Sequence, residues 1–265
     1  PEGCLPLLVP FRLAPVLQRK RVWPEEAHTT LLFLVAQSSV IFVSTKIPIF
    51  FIENLMKWRG IPGELRQLLE QPLPGPVAQQ RMAPRSRESA SHMDAPRQAA
   101  VMILLYPEGE QVYTVFIKRN EYPGAHSGQI SFPGGMYEDP DRTLERTAIR
   151  ETAEETGIDQ ELVEVLGSLT PLYIPISNFR VTPFVGWCGI TPRFDPDGTE
   201  VQYLVTTPVS DLLDPQNLHT GVWVRDETEM EAPYLSIRKE MIWGATAMML
   251  SEFIELALQM PQFRS

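Results

Sequence analysis

The chain has 265 residues, 43% of them hydrophobic, with 23 Lys and Arg against 33 Asp and Glu and a net charge of -10. This length holds one large domain, or one domain plus an arm, without disulfide staples, and the acidic balance argues against non-specific nucleic-acid binding. Two cysteines, Cys4 and Cys188, exclude a Cys-rich zinc site, and His28, His92, His126 and His219 form no paired-His grouping, so any metal must rest on oxygen ligands.

Residues 1–50 read as an irregular extension outside the fold. The chain opens on Pro1, which suits a fragment, a processed product or a translated extension. Leu31 to Val43 is apolar apart from Gln37, Ser38 and Ser39, and Ile47 to Ile52 continues the run after Lys46. Together they approach the roughly 20 residues that a membrane span needs, but they include Lys46 and Pro48. Arg19, Lys20 and Arg21 are separated from the apolar run by Trp23 to His28, which spoils a signal-peptide arrangement. A membrane anchor is therefore not expected.

Residues 51–98 read as a helical and Pro-rich arm. A helical pattern from Phe51 to Leu69 is interrupted by Gly and Pro at 60–63, and residues 72–98 have the Pro, Ser and Ala content of an extended linker. Arg81, Arg85 and Arg87 are expected there as solvated charges.

A domain spanning 99–260 follows. Ala99 to Tyr106 and Gln111 to Lys118 predict a β-hairpin across Pro107-Glu108-Gly109. Further strands are expected at 162–166, 180–190 and 201–206. Thr143 to Thr156 predicts a helix with Gly157 as its stop, and Trp243 to Leu258 predicts a second. Strands and two substantial helices without regular alternation predict an α/β (α+β) fold, with a mixed β-sheet covered by helices.

The chemistry concentrates in residues 132–158. Gly134 and Gly135 make a turn where backbone can approach a ligand closely. On the helix that follows, Glu151, Glu154 and Glu155 stand three and four positions apart and so share one face. Carboxylates, carbonyls and water are the ligands that Mg²⁺ and Mn²⁺ prefer. A Glu-rich helix face can also simply be solvated.

Arg150 to Ile158, RETAEETGI, resembles the second half of the Nudix box, G-x5-E-x7-R-E-U-x-E-E-x-G-U. Counting forward from Gly135 brings Asp141 to the first Glu position with one extra residue before Arg150. Gly128 to Gly135, GQISFPGG, is similar to the G-x3-F-P-G-G signature of the coenzyme A pyrophosphatase-like subgroup, although Gly124 stands where that subgroup has Arg. The segments 73–84 and 242–246 also look like pieces of it.

The resemblance implies a Nudix-type α/β/α sandwich and hydrolysis of a nucleoside diphosphate-linked substrate with Mg²⁺ or Mn²⁺. Glu151, Glu154, Glu155 and the Gly135 carbonyl would hold the metal. Glu154, Glu155 and Arg150 would form the catalytic group, with Arg150 bracing the acids. The general base stays open between Glu154 and Asp226, Glu227, Glu229 and Glu231 in a late acidic loop. Arg119, Phe132, Gly134 and Gly135 would contact substrate, with Arg119 or Arg81 for a 3'-phosphate and Phe132 or Tyr122 for adenine. Coenzyme A or acyl-coenzyme A is the expected substrate; ADP-ribose, NADH or a non-catalytic nucleotide-sensing role are the alternatives. The expected partner is a small-molecule nucleotide, not nucleic acid or membrane, with a homodimer as one assembly open to a cytoplasmic enzyme.

Overall fold

A computed structural model describes residues 58–85, 95–121, 127–196, 198–225 and 228–264, and the backbone of 30–36 and 39–45. The chain divides into two units, Pro1–Glu53 and Asn54–Ser265. In the first, β1 (Thr30–Ala36) and β2 (Ser39–Thr45) pair antiparallel, with Phe33 opposite Phe42. No helix among the described residues is long and apolar enough to cross a membrane. The segments 19–28 and 46–57, Arg87, Tyr122, Gly124, His126, Asp226 and Glu227 lie outside the described residues.

The second unit begins with α1 (Ile61–Leu69), which carries Pro62 in its first turn. A proline there sacrifices only an N–H that has no intrahelical partner anyway. The Gly/Pro stretch expected to interrupt the helical pattern does so: Trp58 is helical, Arg59 and Gly60 turn, and α1 restarts the helix. The expected extended arm needs correcting, because α2 (Gly75–Gln80) is helical and buries Gly75, Ala78 and Gln79. Pro76 again occupies the first turn, and small Ala78 lets the final helix approach closely enough for Ser251 Oγ to donate to the Ala78 carbonyl at 2.8 Å.

Next come β3 (Arg97–Glu108), β4 (Gln111–Arg119), β5 (Ile130–Ser131), β6 (Gly134–Met136) and α3 (Leu144–Thr156). They are followed by β7 (Glu164–Ser168), β8 (Leu172–Ile174), β9 (Phe179–Trp187), β10 (Val201–Pro208) and α4 (Val209–Leu213). The chain then forms β11 (Leu218–Arg225), β12 (Thr228–Ile237), β13 (Glu240–Trp243) and α5 (Gly244–Ala257). The main sheet runs β10-β4-β3-β9-β7, with β5 on β4, β6 on β3 and β8 on β9. It is mixed: β3 and β9 are parallel, while the other pairs are antiparallel. β11, β12 and β13 form a separate antiparallel sheet that the sequence reading did not foresee. Glu229 and Glu231, read there as loop residues, lie on β12.

Side chains alternate across β3, so one strand feeds two cores. Ile103 and Leu105 pack in one with Leu65 of α1 and Met248 and Phe253 of α5. Met102, Leu104 and Tyr106 pack in the other with Ala148 and Ile149 of α3. Helices on both faces of a mixed sheet make an α/β/α sandwich. Each fully buried Phe, Leu or Ile in these cores is worth about 1.5–3 kcal/mol.

The fork between β3 and β4 positions the site. The two strands pair only from Leu105 opposite Thr114 to Glu108 opposite Gln111. Beyond that, β3 takes β6 at Ala99–Val101, and β4 takes β5 at Ile117 and Lys118. Residues 130–136 are wedged between the parting strands.

α3 is bounded as the sequence predicts. The Thr143 side chain accepts from Arg146 N at 3.2 Å, and Gly157 ends the helix at φ 74° with its N–H on the Ala153 carbonyl. A Cβ on Gly157 would lie 2.2 Å from the Asp195 carbonyl oxygen. Gly157→Ala should therefore lower unfolding free energy by about 2 kcal/mol or more, from left-handed strain plus overpacking. A urea midpoint equal to the parent's would contradict this reading.

Candidate active site

The fork opens into a pocket of about 910 Å³ lined by β3, the 129–136 segment, α3, the start of α5 and the strand ends around Phe179 and Val201. Glu151, Glu154, Glu155, Gly134, Gly135, Arg119, Arg150 and Phe132 all line it, so these eight expected site residues share one cavity.

Two glycines allow α3 to come this close. Gly134 has φ 154°, and a Cβ there would lie 2.3 Å from the Ala100 carbonyl oxygen. Along the β3–β6 ladder, Tyr137 N donates to the Gln98 carbonyl and Met102 N to the Pro133 carbonyl. By alternation, Gly135 faces Ala100 in a bonded position and Gly134 faces Val101 in a non-bonded one. The Gly134 N–H is thus free to donate to Glu155 Oε2, at 2.8 Å. Gly135 performs the second service: a Cβ there would sit 2.4 Å from the Glu151 carboxylate, which occupies that space instead.

Glu155 is buried, and burial pushes its carboxyl up to about 8, against the pull of the Gly134 N–H and of Arg119. Arg119 Nη1 stands 3.7 Å from Glu155 Oε1, an ionic contact too long for a hydrogen bond. Arg119 Nε is itself buried without a hydrogen-bond partner among the described residues. Burial also raises the Glu151 carboxyl, against the pull of Arg150. Glu154 is the most exposed of the three acids.

Arg150 organises the cluster. Its Nε and Nη2 grip Asp141 at 2.8 and 2.9 Å, and Nη1 donates to Glu151 at 2.8 Å and Glu154 at 3.0 Å. Nη2 also donates to the Met136 carbonyl at 3.2 Å. Planar guanidinium forks suit such bidentate pairing. The hydrogen bonds from Arg150 hold the Asp141 carboxyl well below the usual range, and Thr147 Oγ1 and the Glu138 N–H support it at 2.9 and 3.2 Å. Asp141 is therefore the anchor of Arg150, a role that counting forward from Gly135 hinted at without assigning. Its extra residue falls in the turn before α3, where Arg142 takes φ 63°.

Other expectations change. Phe132 is buried and stacks on Phe116 with centroids 4.9 Å apart, so its ring is committed to the core and only borders the pocket. Arg81 does not line the pocket; it pairs with Glu255. Glu231 pairs with Arg85 at 2.7 Å, and neither it nor exposed Glu229 lines the pocket. Two charged residues that line the pocket, Arg97 and Glu200, were not singled out in the sequence. Neither carries a local signal, because each reaches the pocket from a strand end remote in sequence from residues 132–158.

The donor set fits a hard divalent cation. Glu151 and Glu155 offer carboxylate oxygens of the kind such a cation prefers, both pressed against the glycine strand with too little positive charge nearby to offset their burial. Among the described residues no three acidic, His or Cys side chains already converge as ligands. Arg150 Nη1 engages one oxygen of Glu151 and one of Glu154, which leaves the second oxygen of each carboxylate for a cation.

The NUDIX domain family matches residues 96–232, and the chain belongs to the Nudix hydrolases. It is 35% identical over 166 residues to the uncharacterized Nudix hydrolase NudL of Pectobacterium atrosepticum, covering 62% of this chain and 82% of that one. The corresponding protein of Yersinia pestis is 35% identical over 154 residues, 57% of this chain and 75% of its own length. Among solved structures, a MutT/nudix family protein from Enterococcus faecalis superposes with TM-score 0.43 at 20% identity, over 65% of this chain and 64% of that one. The NUDIX domain of Shewanella oneidensis NrtR, solved with ADP ribose, gives 0.38 at 18% identity, over 46% and 78%.

Proposed function

We propose that this Nudix hydrolase cleaves the diphosphate of coenzyme A or an acyl-coenzyme A. Water adds across the anhydride to give 4'-phosphopantetheine, or its acyl form, and adenosine 3',5'-bisphosphate. The observation that carries the hydrolytic reading is the setting of Glu151 and Glu155 against Gly134 and Gly135 in a pocket that also holds Arg119. The GQISFPGG segment supports the choice of coenzyme A.

In this reading Glu151, Glu154, Glu155 and the Gly135 carbonyl hold Mg²⁺ or Mn²⁺. When bound, the cation neutralises phosphate charge and lowers the pKa of a water. Arg150 keeps the carboxylates gathered, and the Gly134 N–H orients Glu155. Glu154, which water can reach, accepts the proton of the attacking water. Arg119, which lines the pocket beside Glu155, meets a phosphate oxygen. Phe132 supplies wall rather than a stacking surface.

Product analysis with Mg²⁺ or Mn²⁺ across coenzyme A, acetyl-coenzyme A, ADP-ribose and NADH tests this. The expected result is the highest kcat/KM on a coenzyme A form, with both named products, and none when EDTA is in excess. Preference for ADP-ribose or NADH would overturn the substrate. Tight nucleotide binding without turnover would favour a sensing role.

A further inference from the structure

We propose that Arg97 receives a second phosphate of the substrate, a monoester on the ribose, at the end of the pocket away from the carboxylates. The inference rests on the hydrolytic reading above and names the feature that selects the nucleotide.

Three arginines line the pocket: Arg97, Arg119 and Arg150. All five N–H groups of Arg150 are committed to Asp141, Glu151, Glu154 and the Met136 carbonyl. Arg119 lies against Glu155, at the carboxylate end. Arg97 differs from both. Its guanidinium carbon sits 4.1 Å above the centre of the Phe179 ring, and Nη2 donates to the Ser177 carbonyl at 3.0 Å. No carboxylate among the described residues pairs with it. The aromatic face and the single carbonyl fix the plane of the guanidinium and leave N–H groups in a fork suited to phosphate oxygens.

Its position separates it from the hydrolytic end. Arg97 precedes Ala100 by three residues on β3, and Ala100 faces Gly135, on which the Glu151 carboxylate rests. Three residues of strand span roughly 10 Å. Between the two ends the wall is apolar, made by Ala99, Val101 and Val181. The cavity thus offers one anion site beside the carboxylates, an apolar middle, and a second anion site at Arg97. A nucleotide with a diphosphate on one side of its ribose and a phosphomonoester on the other presents two anionic groups across a spacer. ADP-ribose and NADH lack the monoester.

The test compares matched pairs in the full chain: coenzyme A with 3'-dephospho-coenzyme A, and NADPH with NADH. Arg97→Ala should raise KM for the ribose-phosphorylated member by about ten- to hundredfold, the worth of a charge-assisted contact, and leave its dephosphorylated partner unchanged. Arg97→Lys should recover part of the loss. Without metal, calorimetry should show the same weakening for adenosine 3',5'-bisphosphate and none for adenosine 5'-phosphate. A selective loss confined to NADPH would keep Arg97 as a ribose-phosphate site but assign it to the 2'-phosphate. Equal losses within each pair, or none, would overturn the proposal, because stacking or structural roles do not sense the monoester. If the parent chain hydrolyses none of the four, the hydrolytic reading fails while the calorimetric comparison still decides Arg97.

Discussion

Glu155→Gln is expected to cut metal-dependent hydrolysis by about 10²- to 10⁴-fold, the scale on which loss of a positioned acid–base group or ligand registers. The same change should leave the thermal midpoint equal or higher. Glutamine keeps an acceptor for the Gly134 N–H, and a neutral amide avoids the cost of burying a carboxylate, which already drives this group up to about 8. Lost turnover with retained stability separates a reacting role from a structural one. Near-parental rates in the variant would remove Glu155 from the chemistry.

The largest stability effect is expected at Glu252, far from the hydrolytic residues in sequence. This carboxylate of α5 is fully buried. It accepts from Gly75 N at 3.1 Å, Gln79 Nε2 at 2.9 Å, and Thr170 N and Oγ1 at 3.2 and 2.7 Å. One side chain thereby ties α2 and the turn after β7 to the final helix. Glu252→Leu leaves the Gly75 N–H, the Thr170 N–H and the Thr170 hydroxyl without their acceptor, at about 1–2 kcal/mol each, so a combined loss of roughly 3–6 kcal/mol is expected. For a domain of this size that is about a 10–20 °C fall in Tm. Glu252→Gln, which keeps one acceptor oxygen, should fall between the two by calorimetry. A leucine variant as stable as the parent would show that these bonds contribute nothing net.

Features written in local pattern could be read from the sequence alone. The β3–β4 hairpin follows from two β-rich runs across Gly109, and α3 from its Glu, Arg and Ala content with Thr143 and Gly157 at its ends. The clustering of Glu151, Glu154 and Glu155 in one pocket follows from helical spacing. Features decided by tertiary partners could not be read. The helix at 75–80 is hidden by Pro74 and Pro76, and the Glu252 and Ser251 contacts that hold it lie some 170 residues away. Phe132 could have faced ligand or core; only the position of Phe116 decides it. Arg97 reads as one more charge before a strand until β9 brings Phe179 beside it.

The parting of β3 and β4 has a consequence for how such a molecule changes over time. The hydrolytic groups ride on a capped helix and a glycine pair, whereas the far wall of the cavity is made from separate strand tips at Arg97, Ile174 and Phe179. The toolhead and the grip are therefore mounted on different parts. Mutation can retool the grip for a new nucleotide while the cutting edge keeps its setting.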